Sequence, residues 1–323
     1  MTEEKERLFG QFENIFKRKV RPLIMRYLEN DWCTRSMLYT IESGRNRFRA
    51  GLAYLLSGQK REGVVIGAAS EVAWAAILIL DDIGDNTSIR RGKESAWRKF
   101  GLLEAAHAAT LGFIISKRIL EEEKTGDPLI KSLEESIVFT LQAQIEQKTF
   151  NCQNASVETV LDNYDRKTAL GRWPVGAAIT INDELSLQEK EKIQKFPEVI
   201  AIAAQIRNDL DDIAIGVEKE KYEPAMKDLQ EQIVNYPVAL LLNRVTEDDK
   251  QSFLDKCREQ KTTGESEAIK CAIEMFAKYN IYNQCEIEIN KRVSSAVALI
   301  RDLPRPYRVL LKNWAESYRK EVK

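Results

Sequence analysis

The stretch Leu80–Gly92, LDDIGDNTSIRRG, gathers side chains that could do chemistry: Asp81, Asp82 and Asp85, then Arg90 and Arg91. An apolar, alanine-rich run, Gly63–Leu80, precedes it and is too long for a strand. As a helix, this run places Asp81 and Asp85 one turn apart on one face, with Asp82 beside them. Carboxylates crowded at one helix end repel unless a cation sits among them. Hard divalent cations, Mg²⁺ above all, take oxygen ligands and bridge carboxylates to phosphate oxygens. The two arginines would grip the same phosphates in bidentate fashion. The stretch reads as a diphosphate–magnesium site. A solvated acidic–basic turn after a core helix is the alternative that this stretch alone leaves open.

A second acidic cluster strengthens the first reading. Ala201–Ile215, AIAAQIRNDLDDIAI, is again an apolar helix pattern ending in acids, and Asn208, Asp209 and Asp212 repeat the i, i+1, i+4 spacing. Two such helices facing each other across a bundle could hold a metal cluster.

The elements that must position these groups are helices. The chain has 323 residues and 44% hydrophobic content, enough for one large core or two smaller ones. A formal net charge of −1 excludes a global field that would draw it to nucleic acid or an acidic membrane. Cys33, Cys152, Cys257, Cys271 and Cys285 are odd in number and scattered, without metal-ligand spacing, which favours a reducing cytoplasm. The start, MTEEKERLFG, lacks the apolar core of a signal peptide. Gly63–Leu80 is about as long as a short membrane span. It carries Glu71 and ends in paired aspartates, and so reads as a buried core helix.

Residues 3–31 show helical periodicity, with Pro22 kinking or dividing them. Ser43–Ala50, SGRNRFRA, holds Arg45, Arg47 and Arg49, either an anion cradle or a basic helix start. A short helix over 51–57 and a turn over Ser57–Gly63 follow. Ser95–Leu120 is helical and contains His107, a lone histidine that reads as packed or capping. Glu121–Asp127 is a loop, and Pro128–Asn151 a long helix whose Gln142, Gln144 and Gln147 point amides toward a polar cavity. Val157–Ile181 carries Lys167 and Thr168, suited to phosphate chemistry or to a plain surface. Pro197 is expected to close one helix, Leu185–Phe196, and start the next. A polar loop follows Gly216, a helix resumes after Pro237, and 247–323 is helical. Residues 1–323 read as one all-α domain of roughly ten or more helices, with no strand pattern.

With both acidic motifs placed, the chain resembles the trans-isoprenyl diphosphate synthases, the polyprenyl synthetase family. SGRNRFRA corresponds to that family's glycine-glycine-lysine segment, and DDIGDNTSIRRG to its first aspartate-rich motif. Lys167 and Thr168 match its lysine-threonine pair, QIRNDLDD its second motif, and KDLQEQIVNYP the segment after it. The resemblance implies an antiparallel helical bundle with a deep central pocket, usually a homodimer. It implies Mg²⁺, three ions by resemblance, held by Asp81, Asp82, Asp85, Asn208, Asp209 and Asp212. The substrate would be an allylic diphosphate such as geranyl, farnesyl or geranylgeranyl diphosphate. Arg90, Lys167 and Thr168 would act on the leaving diphosphate. Arg45, Asn46, Arg49, Trp74, Ala76, Ile77, Arg91, Gln144 and Gln205 would bind substrate.

The chain also departs from the family. Asn46 stands for its lysine, and Trp74 for the histidine or glutamine seven residues before the first aspartate. Both of those family residues help bind isopentenyl diphosphate. Losing two contacts to a charged group, at ~1.5–3 kcal/mol each, weakens that binding by roughly two to four orders of magnitude unless Arg45 or Arg47 compensates. Ile233 replaces a lysine facing the allylic diphosphate, and Asn208 an aspartate. Trp74 shares a helix face with Asp81 and would stabilise a carbocation or serve as a core tryptophan. Ala76 and Ile77 occupy positions that set product length in the family, and the small Ala76 suggests a substrate longer than a geranyl chain.

Three functions follow. The first is a prenyltransferase with isopentenyl diphosphate as default acceptor. The second is a terpene cyclase or lyase on the same fold, favoured by Asn46 and Trp74 but lacking the usual serine and glutamate, where Asp212 and Gly216 stand. The third is a non-catalytic subunit regulating an active partner. The first is the reading adopted here, with a cytoplasmic enzyme that does not span a membrane.

Overall fold

Apolar residues at helical spacing build nearly every element of this computed structural model, which describes residues 3–29, 32–44, 46–152, 154–218, 233–263 and 267–319. In chain order the helices are α1 (Glu3–Ile15), α2 (Arg21–Leu28), α3 (Arg35–Glu42), α4 (Phe48–Leu56) and α5 (Arg61–Gly84). After a hairpin come α6 (Ala96–Phe100), α7 (Leu102–Glu122), α8 (Asp127–Gln147), α9 (Val157–Lys167), α10 (Ala169–Thr180) and α11 (Leu187–Glu218). The last are α12 (Tyr236–Leu242), α13 (Glu247–Thr263), α14 (Glu267–Lys278), α15 (Ile281–Leu299) and α16 (Arg305–Glu316). The all-α expectation holds.

Two local expectations fail. Pro197 lies inside α11 and does not end it. The ring removes one backbone bond, but Ile193, Phe196, Ile200 and Ala203 are fully buried on either side, so burial carries the helix through. The hairpin, β1 (Ile89–Arg90) with β2 (Lys93–Glu94), is the second. Two-residue strands are too short to show alternation. Its turn has Arg91 at φ 55° and Gly92 at φ 78°, the paired positive values of a tight hairpin turn.

The chain packs as two compact units. One comprises Met1–Leu141, Thr168–Glu198 and Val297–Ser317, the other Gln142–Lys167, Val199–Ala296 and Tyr318–Lys323. In the first, α5 packs against α2, α3, α4, α7 and α10. Small residues allow this closeness: a Cβ on Gly112 of α7 would stand 3.0 Å from the Ala76 Cβ and 2.4 Å from Met37 Cε. By length and apolarity α5 could cross a membrane, and 89% of its apolar window is buried here, as in a core helix. In the second unit, Ile206 and Leu210 of α11, Val160 and Tyr164 of α9, Leu241 of α12 and Ile289 of α15 are buried core residues.

Candidate active site

Asp81 and Asp82 occupy the last turn of α5, and Asp85 is its C-cap residue, its N–H donating to the Asp81 carbonyl at 2.8 Å. The helix dipole presents its negative end there, so the carboxylates need a cation. The hairpin supplies one. Arg90 Nε donates to Asp82 Oδ1 at 2.5 Å and Nη2 to Asp81 Oδ2 at 2.9 Å. Asp82 is 2% exposed. Burial pushes its carboxyl up to about 6, against the pull of Arg90 and with help from Asp81 and Asp85. These hard oxygen donors fit a divalent cation, and Arg90 stands among them as a monovalent one. Among the described residues no three acidic, His or Cys side chains converge to hold a metal as they stand.

Arg45 lies outside the described residues. Asn46 is exposed at φ 65°, left-handed backbone that asparagine enters more readily than most residues. Arg47, at φ 42°, turns inward and is 3% exposed. Its Nη1 donates to the Ile41 carbonyl at 2.6 Å and its Nε to Glu13 Oε2 at 3.3 Å, and its guanidinium sits 3.8 Å from the centre of the Phe16 ring. Arg47 is therefore committed to the fold and does not stand in for the missing lysine. Arg49, 6% exposed, donates to Glu71 Oε2 at 3.4 Å. Its guanidinium lies over the rings of Phe48 (4.8 Å) and Trp74 (4.6 Å). Phe48 stacks on Trp314 of α16 at 5.8 Å, and Trp314 meets Phe196 at 5.5 Å. Arg91 Nη1 reaches the Ser43 carbonyl at 3.4 Å. Burial first, then Arg49 and Arg90, pull its guanidinium down to about 10, against Glu71. Arg47, Arg49, Arg90 and Arg91 thus gather on this side of the first motif, with Glu13, Glu71, Asp81 and Asp82 offsetting charge on the first three.

Trp74 is half-buried, with Gly171 of α10 against its ring: a Cβ there would stand 3.5 Å from Cζ3. Ala76 and Ile77 are buried in the core. The small size of Ala76 serves the close approach of Gly112, a packing reason that sequence alone does not show.

In the second unit, Lys167 ends α9 and its Nζ donates to Gln147 Oε1 at 2.6 Å. Thr168 follows as the N-cap residue of α10. Gln147 is buried, Gln144 half-buried and Gln142 exposed, so the three amides do not share one environment. On α11, Asn208 is exposed and Asp209 buried. Gln205 Nε2 donates to Asp209 Oδ1 at 2.9 Å, and the Tyr164 hydroxyl donates to Asp209 Oδ2. The Asp212 side chain lies outside the described ones, as do residues 219–232, which hold most of the polar loop and all of KDLQEQ. Ile233 is buried. His107 is exposed on α7, its Nδ1 2.7 Å from the Leu103 carbonyl. Sequence reasoning passed over Glu71 and Tyr164 as site residues. Glu71, a charge inside an apolar helix three residues before Trp74, carried a usable signal, and Tyr164 carried none.

Residues 30–276 match the model of the polyprenyl synthetase family. The chain is 27% identical over 275 residues to a short chain isoprenyl diphosphate synthase of Methanocaldococcus jannaschii, covering 82% of this chain and 83% of that one. It is 27% identical over 298 residues to the geranylgeranyl diphosphate synthase of Sulfolobus acidocaldarius, covering 86% and 88%. A crystal structure of a polyprenyl synthase from Caulobacter crescentus, complexed with calcium and isoprenyl diphosphate, superposes with a TM-score of 0.83 at 17% identity over 96% of this chain and 97% of that one.

Proposed function

Because the chain belongs to the polyprenyl synthetase family and is a prenyltransferase, we propose that it ionises an allylic prenyl diphosphate with Mg²⁺ and passes the prenyl group to isopentenyl diphosphate. The cluster of Asp81, Asp82 and Arg90 carries this reading: a buried and a half-buried carboxylate at a helix end, held by a cation that itself binds phosphate well. Asp81, Asp82 and Asp85 of the first unit would be metal ligands, as would Asp209, Asp212 and the neutral Asn208 of the second. When bound, the metal neutralises the leaving diphosphate. Arg90 would exchange the carboxylates for diphosphate oxygens, and Lys167 of the second unit is a further candidate phosphate donor. As the carbon–oxygen bond breaks, the diphosphate takes the electron pair and leaves an allylic cation. The isopentenyl double bond attacks that cation, and a proton is then lost. The calcium and isoprenyl diphosphate in the Caulobacter crescentus structure support divalent-metal chemistry on this fold.

A second reading, a terpene cyclase or lyase, is favoured by one observation. Trp74 covers one face of Arg49, whose charge Glu71 already offsets, so the acceptor half of the site is poor in available positive charge. We also propose a cytoplasmic homodimer formed through α7 and α8, where Leu103 (72% exposed), Ile114 (58%) and Val138 (48%) offer an apolar face for a second copy.

The test is diphosphate release from purified protein with Mg²⁺ and geranyl, farnesyl or geranylgeranyl diphosphate, with and without isopentenyl diphosphate. Longer diphosphates that appear only with isopentenyl diphosphate support the first reading. A hydrocarbon or alcohol formed without it supports the second. No release under any combination refutes both and leaves a regulatory subunit.

A further inference from the structure

We propose that Tyr164 is a positioning residue that holds Asp209 in place to ligate, an inference that rests on the reading of Asp209 as a Mg²⁺ ligand. Tyr164 lies on α9 with no exposed surface. Its hydroxyl donates to Asp209 Oδ2 and accepts the Tyr236 N–H at 2.9 Å. Tyr236 is the first residue of α12, where backbone N–H groups have no partner within the helix. One hydroxyl therefore fixes a carboxylate on α11 and the start of α12 together. The other carboxylate oxygen, Oδ1, accepts from Gln205 Nε2 at 2.9 Å.

The character of these donors matters. A phenol and a carboxamide are neutral, so these two donors orient Asp209 without themselves adding charge. In the first motif, Asp81 and Asp82 share the positive Arg90. The nearby cation on α11, Arg207, is drawn to Glu286, whose two oxygens accept from Nη1 and Nη2 at 2.5 Å each. Carboxylate ligands oriented by such outer partners bind metal more tightly, and loss of a partner typically costs ~10–100-fold in affinity. With neutral, exposed Asn208 beside it, Asp209 bears a larger share of the second motif's charge.

Tyr164→Phe removes one oxygen and keeps the ring. The probe is Mn²⁺ with inorganic diphosphate, read by electron paramagnetic resonance of the free ion, with thermal unfolding measured alongside. The expected result is Mn²⁺ affinity lowered ~10–100-fold in a protein that unfolds within a few degrees of wild type. Gln205→Leu, which strips the other oxygen, should move affinity in the same direction and replaces the first variant if that one does not fold. Affinity within about twofold of wild type in the folded variant overturns the inference, because a packing residue alone would not reach the metal. Asp81→Ala separates the two readings. If Asp81→Ala loses Mn²⁺ and Tyr164→Phe keeps it, the metal site stands and the role of Tyr164 falls. If wild type binds no Mn²⁺, both fall.

Discussion

Asn46→Lys combined with Trp74→His should raise affinity for isopentenyl diphosphate by between one and four orders of magnitude. Each restored contact to a charged group contributes ~1.5–3 kcal/mol. The gain at residue 46 is reduced, because the backbone there is left-handed at φ 65°. A lysine in that conformation costs roughly 1–2 kcal/mol more than a residue in ordinary backbone. At residue 74 the change also lifts a ring from 4.6 Å above Arg49, exposing that guanidinium while Glu71 still holds one edge. The sum is about 1–5 kcal/mol, with each 1.4 kcal/mol a factor of ten. The assay is calorimetric titration of isopentenyl diphosphate into protein saturated with Mg²⁺ and an unreactive allylic thiodiphosphate, with products of the live substrate read by mass spectrometry. A folded double variant whose affinity rises less than about threefold, a gain under 1 kcal/mol, would refute the assignment of these residues to the acceptor site.

Other perturbations have equally definite outcomes. Asp81→Ala should abolish diphosphate release while thermal unfolding moves by only a few degrees, because a carboxylate at the negative end of α5 contributes little to stability; unchanged turnover would sink the metal reading. Gly112→Leu should destabilise by about 2–3 kcal/mol, since Met37 Cε and the Ala76 Cβ already fill the space, and denaturant unfolding reads this as a lower midpoint at constant slope. Burial, with Asp209 and Glu286 adding, pushes the Cys285 thiol up to about 12. The folded protein keeps it protonated where the unfolded chain ionises, so stability falls as pH rises past the ordinary thiol range. Native protein at pH ~8 should leave Cys285 unalkylated and denatured protein should not, as peptide mapping after iodoacetamide would show.

Much of this was legible in the sequence because it is local. The apolar run of α5 and the i, i+1, i+4 acids need only periodicity, and both clusters fall on helices at the expected places. What escaped depends on distant residues. The inward turn of Arg47 is set by Glu13 and Phe16, more than 30 residues earlier. The hydroxyl of Tyr164 finds partners at 209 and 236. Pro197 stays helical because of burial that a local rule does not see. Ala76 looked like an open floor until the Gly112 of another helix was placed beside it.

The stack of Phe196, Trp314 and Phe48 bears on when the site can exist. Phe48 adjoins Arg49, near the start of the chain, and Trp314 lies on the last described helix, more than 250 residues later. During synthesis at ~5–20 residues per second, α4 and α5 wait tens of seconds for that ring. In the interval Phe48 lacks the ring it stacks on. A nascent chain lacking α16 would hold both acidic motifs yet leave Phe48 and Phe196 without the Trp314 ring.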